Sequence, residues 1–345
     1  MRPFLIALLC WWIFGTGIGH AEPANTQTRP STGIAPDFVL AKQRTAQGVR
    51  GAALLNPNQF WTWGDRLERW TLPGLSRKTL ARFTTQEGGC LADLNRDGQL
   101  DLIAPTAQGL TWFAAPRFQP VVIDADAQTL ECLGAELFGR PGLFTIHRGM
   151  QVRFYQKPTN ANQPWPYREI YSFYTASHQG GLLLHDVDAD GYPDLLCGNY
   201  WIRSPTEFDL PWTLYAINTW SEQPRSASAG LAFIGRTLLW AESRLSPARL
   251  ALFRPPTDPR QIWQPSLLEL TPRPLAFPRG VALWRDAFFV VGEDNGAASR
   301  LVTFTPRGEA RIVGRGHAIQ NILATPAGFI AIGPAQVAFY KKVPR

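Results

Sequence analysis

Two nine-residue segments of this chain carry oxygen-bearing side chains at a spacing that suits a hard cation. In residues 93–101 they are Asp93, Asn95, Asp97 and Asp101, and in residues 186–194 they are Asp186, Asp188, Asp190 and Asp194. Both place oxygens at positions 1, 3, 5 and 9 around a glycine at position 6, Gly98 or Gly191. A short loop with that pattern can wrap several oxygens around one ion such as calcium. An ion-free Asp-Gly turn needs only one or two of these groups. Four carboxylates in the second segment repel one another unless a cation sits among them.

The elements that position these groups are strands. An EF-hand loop would need a bidentate Glu at position 12, where this chain has Ala104 and Cys197. The flanking segments are short, apolar and aromatic and lack a helical period, so each loop is expected to join two strands of a hairpin. The second strands are alike, Asp101-Leu102-Ile103-Ala104-Pro105 and Asp194-Leu195-Leu196-Cys197-Gly198.

Weaker copies of the unit surround these two. Gln86 and Gln179 each stand seven residues before the first Asp of a loop, and Gln47 and Gln128 fall at the same repeat position. The segment from Gln151 to Lys157 matches that from Gln336 to Lys342. Arg66-Leu67, Arg249-Leu250 and Arg300-Leu301 form a third set, each followed by an aromatic residue and a proline. With Phe113 and Trp201 these give seven markers at a spacing of about 45 residues, the period of a β-propeller blade. The expectation is an all-β, seven-bladed β-propeller over residues 36–345. The last unit has room for three strands, so the N-terminal strand starting at Asp37 is expected to supply the fourth and close the ring.

The loops and the strands after them resemble the FG-GAP/VCBS repeats of integrin α-subunit propellers and of many exported bacterial proteins. The match is clear over residues 84–113 and 177–203. The resemblance implies calcium held by Asp93, Asn95, Asp97, Asp101 and the Gln99 carbonyl, and by Asp186, Asp188, Asp190, Asp194 and the Tyr192 carbonyl. It implies a fold and an ion but no single activity.

Residues 1–21 read as a secretory signal peptide, with Arg2, an apolar run and small residues before Glu22. Residues 22–35 read as a flexible lead. The expected location is periplasmic or secreted, with no transmembrane segment. Formal charge is +7, yet the basic residues are scattered, which argues against nucleic acid as a partner. Cys90 and Cys132 occupy equivalent repeat positions and could pair across neighbouring sheets or stay as buried thiols. Cys-x-x-Cys, Gly-x-Ser-x-Gly and His-Glu-x-x-His motifs are absent from the sequence.

Candidate ligand contacts are weaker. Gln47, Gln86, Gln128 and Gln179 could line one mouth of the channel, or bond the backbone of the next blade. His178 and His317, with Glu87, could form a polar site for a sugar or a metal. Trp165 lies between prolines in a loop that no blade requires and is expected to be exposed, as a contact residue outside the ring. The reading is a calcium-stabilised binding or assembly module for a protein or glycan of the cell envelope or beyond it. The alternative is a carbohydrate-active enzyme, or its accessory subunit, with a site at the channel mouth.

Overall fold

The computed structural model describes residues 38–126, 129–173, 181–222, 229–243, 245–270 and 272–343. Residues 1–21 and 22–35, expected to be a signal peptide and a flexible lead, lie outside these residues, as do Gln128, His178 and Gln179. Among the described residues, twenty-eight strands form seven four-stranded antiparallel sheets, six of them meanders in which successive strands pair. The first six blades cover residues 49–81, 90–124, 129–172, 182–216, 229–267 and 278–315. The seventh takes three strands from residues 321–342, and its outermost strand is Phe38–Thr45 from the other chain end. That strand pairs antiparallel with Gln336–Lys342, from Phe38 opposite Lys342 to Thr45 opposite Gln336, with a bulge near Leu40. Phe38 anchors it between Trp284 and Phe329, at ring distances of 5.2 and 4.2 Å.

Position within a blade sets the burial pattern. Second and third strands are covered by a neighbouring sheet on both faces and read as continuous apolar runs, such as Asp101–Thr106 and Thr237–Glu242. Outer strands face solvent, and Ser76–Ala81 carries Arg77, Lys78 and Thr79 exposed. Seven apolar clusters fill the structure, each shared by two successive blades. One of them joins Phe339 and Val337 of the seventh blade to Phe60 and Trp70 of the first. The ring is therefore closed by side-chain packing as well as by the shared sheet.

The inner strands converge on the axis, and Cys90 and Cys132 are joined there in a disulfide between the second and third blades, with Cα atoms 5.5 Å apart. Cys197 is a buried free thiol. The approach is close at Gly134, where an added Cβ would lie 2.6 Å from the Ala92 side chain.

Candidate cation loops and central channel

Both acidic segments are the hairpin between the first and second strands of a blade. Residues 93–101 follow Cys90–Ala92 in the second blade, and residues 186–194 follow Leu182–His185 in the fourth. The two loops share an internal scaffold. Asp93 accepts hydrogen bonds from the Asp97 and Gly98 amides at 3.1 and 2.9 Å, and Asp186 accepts from Asp190 and Gly191 at 3.1 and 3.0 Å. Arg96 and Ala189 at position 4, and Gly98 and Gly191 at position 6, all have positive φ. The first carboxylate of each loop thus caps the backbone that turns around it.

The residue at position 9 is a lock. Asp101 and Asp194 have no solvent exposure. Asp101 accepts from Trp112 Nε1 at 2.8 Å and from the Ala115 amide at 2.9 Å. Asp194 accepts from the Val187 and Ser204 amides at 3.1 and 2.8 Å. Burial pushes the Asp194 carboxyl up to about 6 against the lowering effect of those amide bonds, and Asp188 nearby adds to the rise. Burial likewise raises Asp101.

The loops differ in what they leave unsatisfied. In the second blade the Asn95 amide donates to Asp97 at 2.9 Å, and Asp97 also accepts from the Gln99 amide at 2.8 Å. In the fourth blade, oxygens of Asp186, Asp188 and Asp194 lie within 4.8 Å of one another. At an effective dielectric of 20, two full charges at that distance repel by about 3 kcal/mol. Arg203 answers part of this, its Nε donating to Asp188 and an Nη to Asp190, each at 2.5 Å. The Asp188 hydrogen bond raises the Arg203 guanidinium pKa. The other Asp188 oxygen, Oδ1, is buried without a hydrogen-bond partner. A cluster of hard oxygens with one orphaned lone-pair site fits a divalent cation of calcium's kind. Asp186, Asp188 and Asp194 would hold it, and its charge would offset part of theirs.

The third blade bridges the two loops. Arg96 donates to Glu136 and to the Gly139 carbonyl, at 3.1 and 2.6 Å, in that blade's corresponding hairpin. Phe138 of the same turn stacks on Tyr192, with ring centroids 5.8 Å apart.

A cavity of about 270 Å³ runs along the axis, lined from all seven blades. Glu87, at the entrance to the second blade, is gripped by both Nη atoms of Arg279 from the sixth, at 3.3 and 2.9 Å. The pair spans the channel, because the seventh and first blades stand between its partners in the ring. Arg279 also donates to Asp294 at 3.2 Å, and Asp294 accepts from Gln320 at 3.0 Å.

Of the expected channel-mouth residues, Glu87 lines the cavity, and Gln128, His178 and Gln179 lie outside the described residues. Gln47 and Gln86 are exposed and neither lines the cavity. Gln320 and Asn321 do line it, at the entrance to the seventh blade. His317 stacks on Tyr340 at 6.3 Å, with Nε2 buried and unpartnered, and is not among the residues lining the cavity. Burial lowers its pKa.

Trp165 corrects the sequence expectation most plainly. It is 4 % exposed, packs edge-on against Trp112 at 5.6 Å, and donates from Nε1 to the Ala161 carbonyl at 3.2 Å. The reason is a repeat that the strand-centred reading passed over. Pro158-Thr159, Pro205-Thr206 and Pro256-Thr257 each stand seven residues, counted from the proline, before a tryptophan, Trp165, Trp212 or Trp263. All three are buried, and all three loops connect the third and fourth strands of a blade. The same turn recurs in each, with the Gln163, Leu210 and Gln261 amides donating to Asn160, Glu207 and Asp258 at 3.1 Å. Each tryptophan is a wedge packed against the preceding blade.

The marker arginines also acquire a role. Arg249 and Arg300, opening third strands, bind Glu242 and Glu293 at the ends of second strands, with Nη–O distances of 2.8 Å. Both glutamates have no solvent exposure. Burial opposes the charge on Glu293, but hydrogen bonds from Arg300, Arg273 and the Ala276 amide more than offset it and lower its pKa.

Comparison with solved structures shows the fold in other proteins. Raptor from Chaetomium thermophilum is similar at a TM-score of 0.58 and 13 % identity, over 90 % of this chain and 29 % of that one. This chain therefore spans under a third of that protein's length. BBS1N, solved in complex with ARL6DN, is similar at a TM-score of 0.55 and 12 % identity, over 90 % of this chain and 98 % of that one. No protein-family model matches the chain, and neither does any curated protein. At such identities the likeness is one of fold, the seven-bladed propeller. Among the described residues, no helix is long and apolar enough to cross a membrane.

Proposed function

We propose that this protein is an exported β-propeller of the FG-GAP type that holds calcium in its acidic hairpins and serves as a docking module for a protein partner. The observation that carries the reading is the carboxylate cluster of Asp186, Asp188 and Asp194, with its orphaned oxygen, set on one face of a closed ring. An ion there would fix the hairpin without taking part in chemistry. A rigid ring presenting many loops is a common platform for protein association, and one similar propeller has been solved with a protein bound to it. The Cys90–Cys132 disulfide supports export, because such bonds persist in oxidising compartments. With Trp165 buried in the core, a protein partner suits the molecule better than a glycan.

Calcium should raise the melting temperature of metal-stripped protein, and Asp188→Asn should reduce that rise. A melt indifferent to calcium and to a strong chelator would overturn the cation. Capture from envelope extract in calcium and in chelator, with partners identified by mass spectrometry, tests the docking role; capture of glycans alone would refute it.

A further inference from the structure

The fourth-blade loop has a guanidinium, Arg203, on its own carboxylates, whereas Arg96 of the second-blade loop turns outward to Glu136 and the Gly139 carbonyl of the third blade. Strand register makes the comparison exact in position. Leu102 pairs with Phe113 in the second blade, and Leu195 pairs with Ile202 in the fourth. The next residues, Ala114 and Arg203, are therefore equivalent. Position 3 of the loops differs in step: Asn95 accompanies Ala114, and Asp188 accompanies Arg203. The extra carboxylate and the extra guanidinium arise together, and they are in contact at 2.5 Å. The extra guanidinium thus offsets the charge of the extra carboxylate.

Arg203 reaches the loop from the strand beside it and binds Asp188 and Asp190 on one side of the oxygen cluster. Its other neighbours in the loop are fixed by the backbone: Asp186 by the Asp190 and Gly191 amides, Asp194 by Val187 and Ser204. Asp188 is the one carboxylate divided between the guanidinium and an oxygen with no partner. A divalent ion drawing on Asp188 must share it with, or take it from, a fixed cation. The guanidinium always carries its charge and cannot be removed by pH.

We propose that Arg203 is a tethered counter-ion that competes with the divalent cation at the fourth blade, weakening its binding while holding the hairpin in shape when the ion is scarce. This rests on the cation reading given above. It assigns the two loops different duties: the Arg203 hairpin keeps its form at low calcium, and the second-blade hairpin, whose Arg96 bonds the third blade and not its own carboxylates, depends on the ion.

The test is calcium titration by calorimetry, and melting in chelator and in calcium, on the full protein and on Arg203→Gln, both in an Asp93→Asn background that disables the second-blade loop. Glutamine keeps a hydrogen-bond donor for Asp188 and removes the charge. Calcium should bind Arg203→Gln about tenfold or more tightly, the salt dependence of binding should steepen, and the variant should melt lower in chelator yet recover in calcium. Arg203→Lys, which retains the charge on a flexible stem, should leave affinity near that of the parent. Equal or weaker calcium binding by Arg203→Gln would overturn the competition while leaving the cation site in place. Absence of calcium binding in parent and variant alike would overturn the cation reading itself.

Discussion

Replacing Trp165 with alanine separates two views of that residue. As an exposed ligand contact its loss would barely change stability, since surface substitutions move it by about 0.5 kcal/mol or less. The structure instead buries it to 4 % exposure between the second and third blades, against Trp112, with its indole N–H satisfied by Ala161. Truncation of a buried tryptophan costs about 3–5 kcal/mol through lost burial and the cavity left behind. Unfolding entropy is about 2.1 cal/mol/K per residue, or about 0.65 kcal/mol/K for a ring of about 310 residues. The expected fall in melting temperature is therefore about 5–8 °C. Trp165→Phe, which keeps an apolar ring in the wedge, should lose about half as much. Differential scanning calorimetry in saturating calcium reads both. A fall of under 1 °C, with partner binding abolished, would refute the burial argument and restore the contact role.

Other perturbations test the remaining devices of the fold. Arg300→Met strips the fully buried Glu293 of its main charge partner and should cost about 3–5 kcal/mol in a urea melt, with part regained in Glu293→Gln/Arg300→Met, where the buried carboxylate is gone and only the partly exposed Arg273 loses its charge partner. His317 has a pKa depressed by burial, so the unfolded chain binds more protons than the folded one between that lowered value and about 6.5. Stability should accordingly rise with pH through this window, and His317→Phe should shrink the difference in melting temperature between pH 5.5 and 7.5. If the difference is unchanged, the desolvation argument for this residue fails. Cys90→Ser/Cys132→Ser opens a loop of 42 residues and should lower stability by about 2–4 kcal/mol, read by denaturant titration under non-reducing conditions. In the intact protein no thiol of the ring should react with alkylating reagents before unfolding, because the remaining one, Cys197, is buried and burial raises its pKa.

Local chemistry was legible from the chain itself. The oxygen spacing in residues 93–101 and 186–194, and the apolar run after each, depend on neighbours a few residues apart, so they specify a hairpin wherever it lies. Repetition near 45 residues then specifies the blade and the ring, because a sheet with two apolar faces must find a sheet on each side. The strand supplied by the other chain end followed from a final unit one strand short. The proline-threonine-tryptophan corner was equally present in the sequence; a reading that followed strand markers treated Trp165 as a loop residue, although its two counterparts stand at the same offset.

What tertiary structure alone decided were the meetings between distant residues. Nothing local to Glu87 announces Arg279, 192 positions away, because the channel they span exists only after the ring has closed. The choice between paired and free thiols at Cys90 and Cys132 likewise waited on how near two inner strands come. Arg203 looked like one scattered basic residue among many until strand register laid it against Asp188 and Asp190. Sequence thus determined the unit and the acidic loop, through contacts short along the chain. The pairs that Arg203 makes with that loop and Arg279 makes across the channel are long-range contacts, and their partners are set by the geometry of closure.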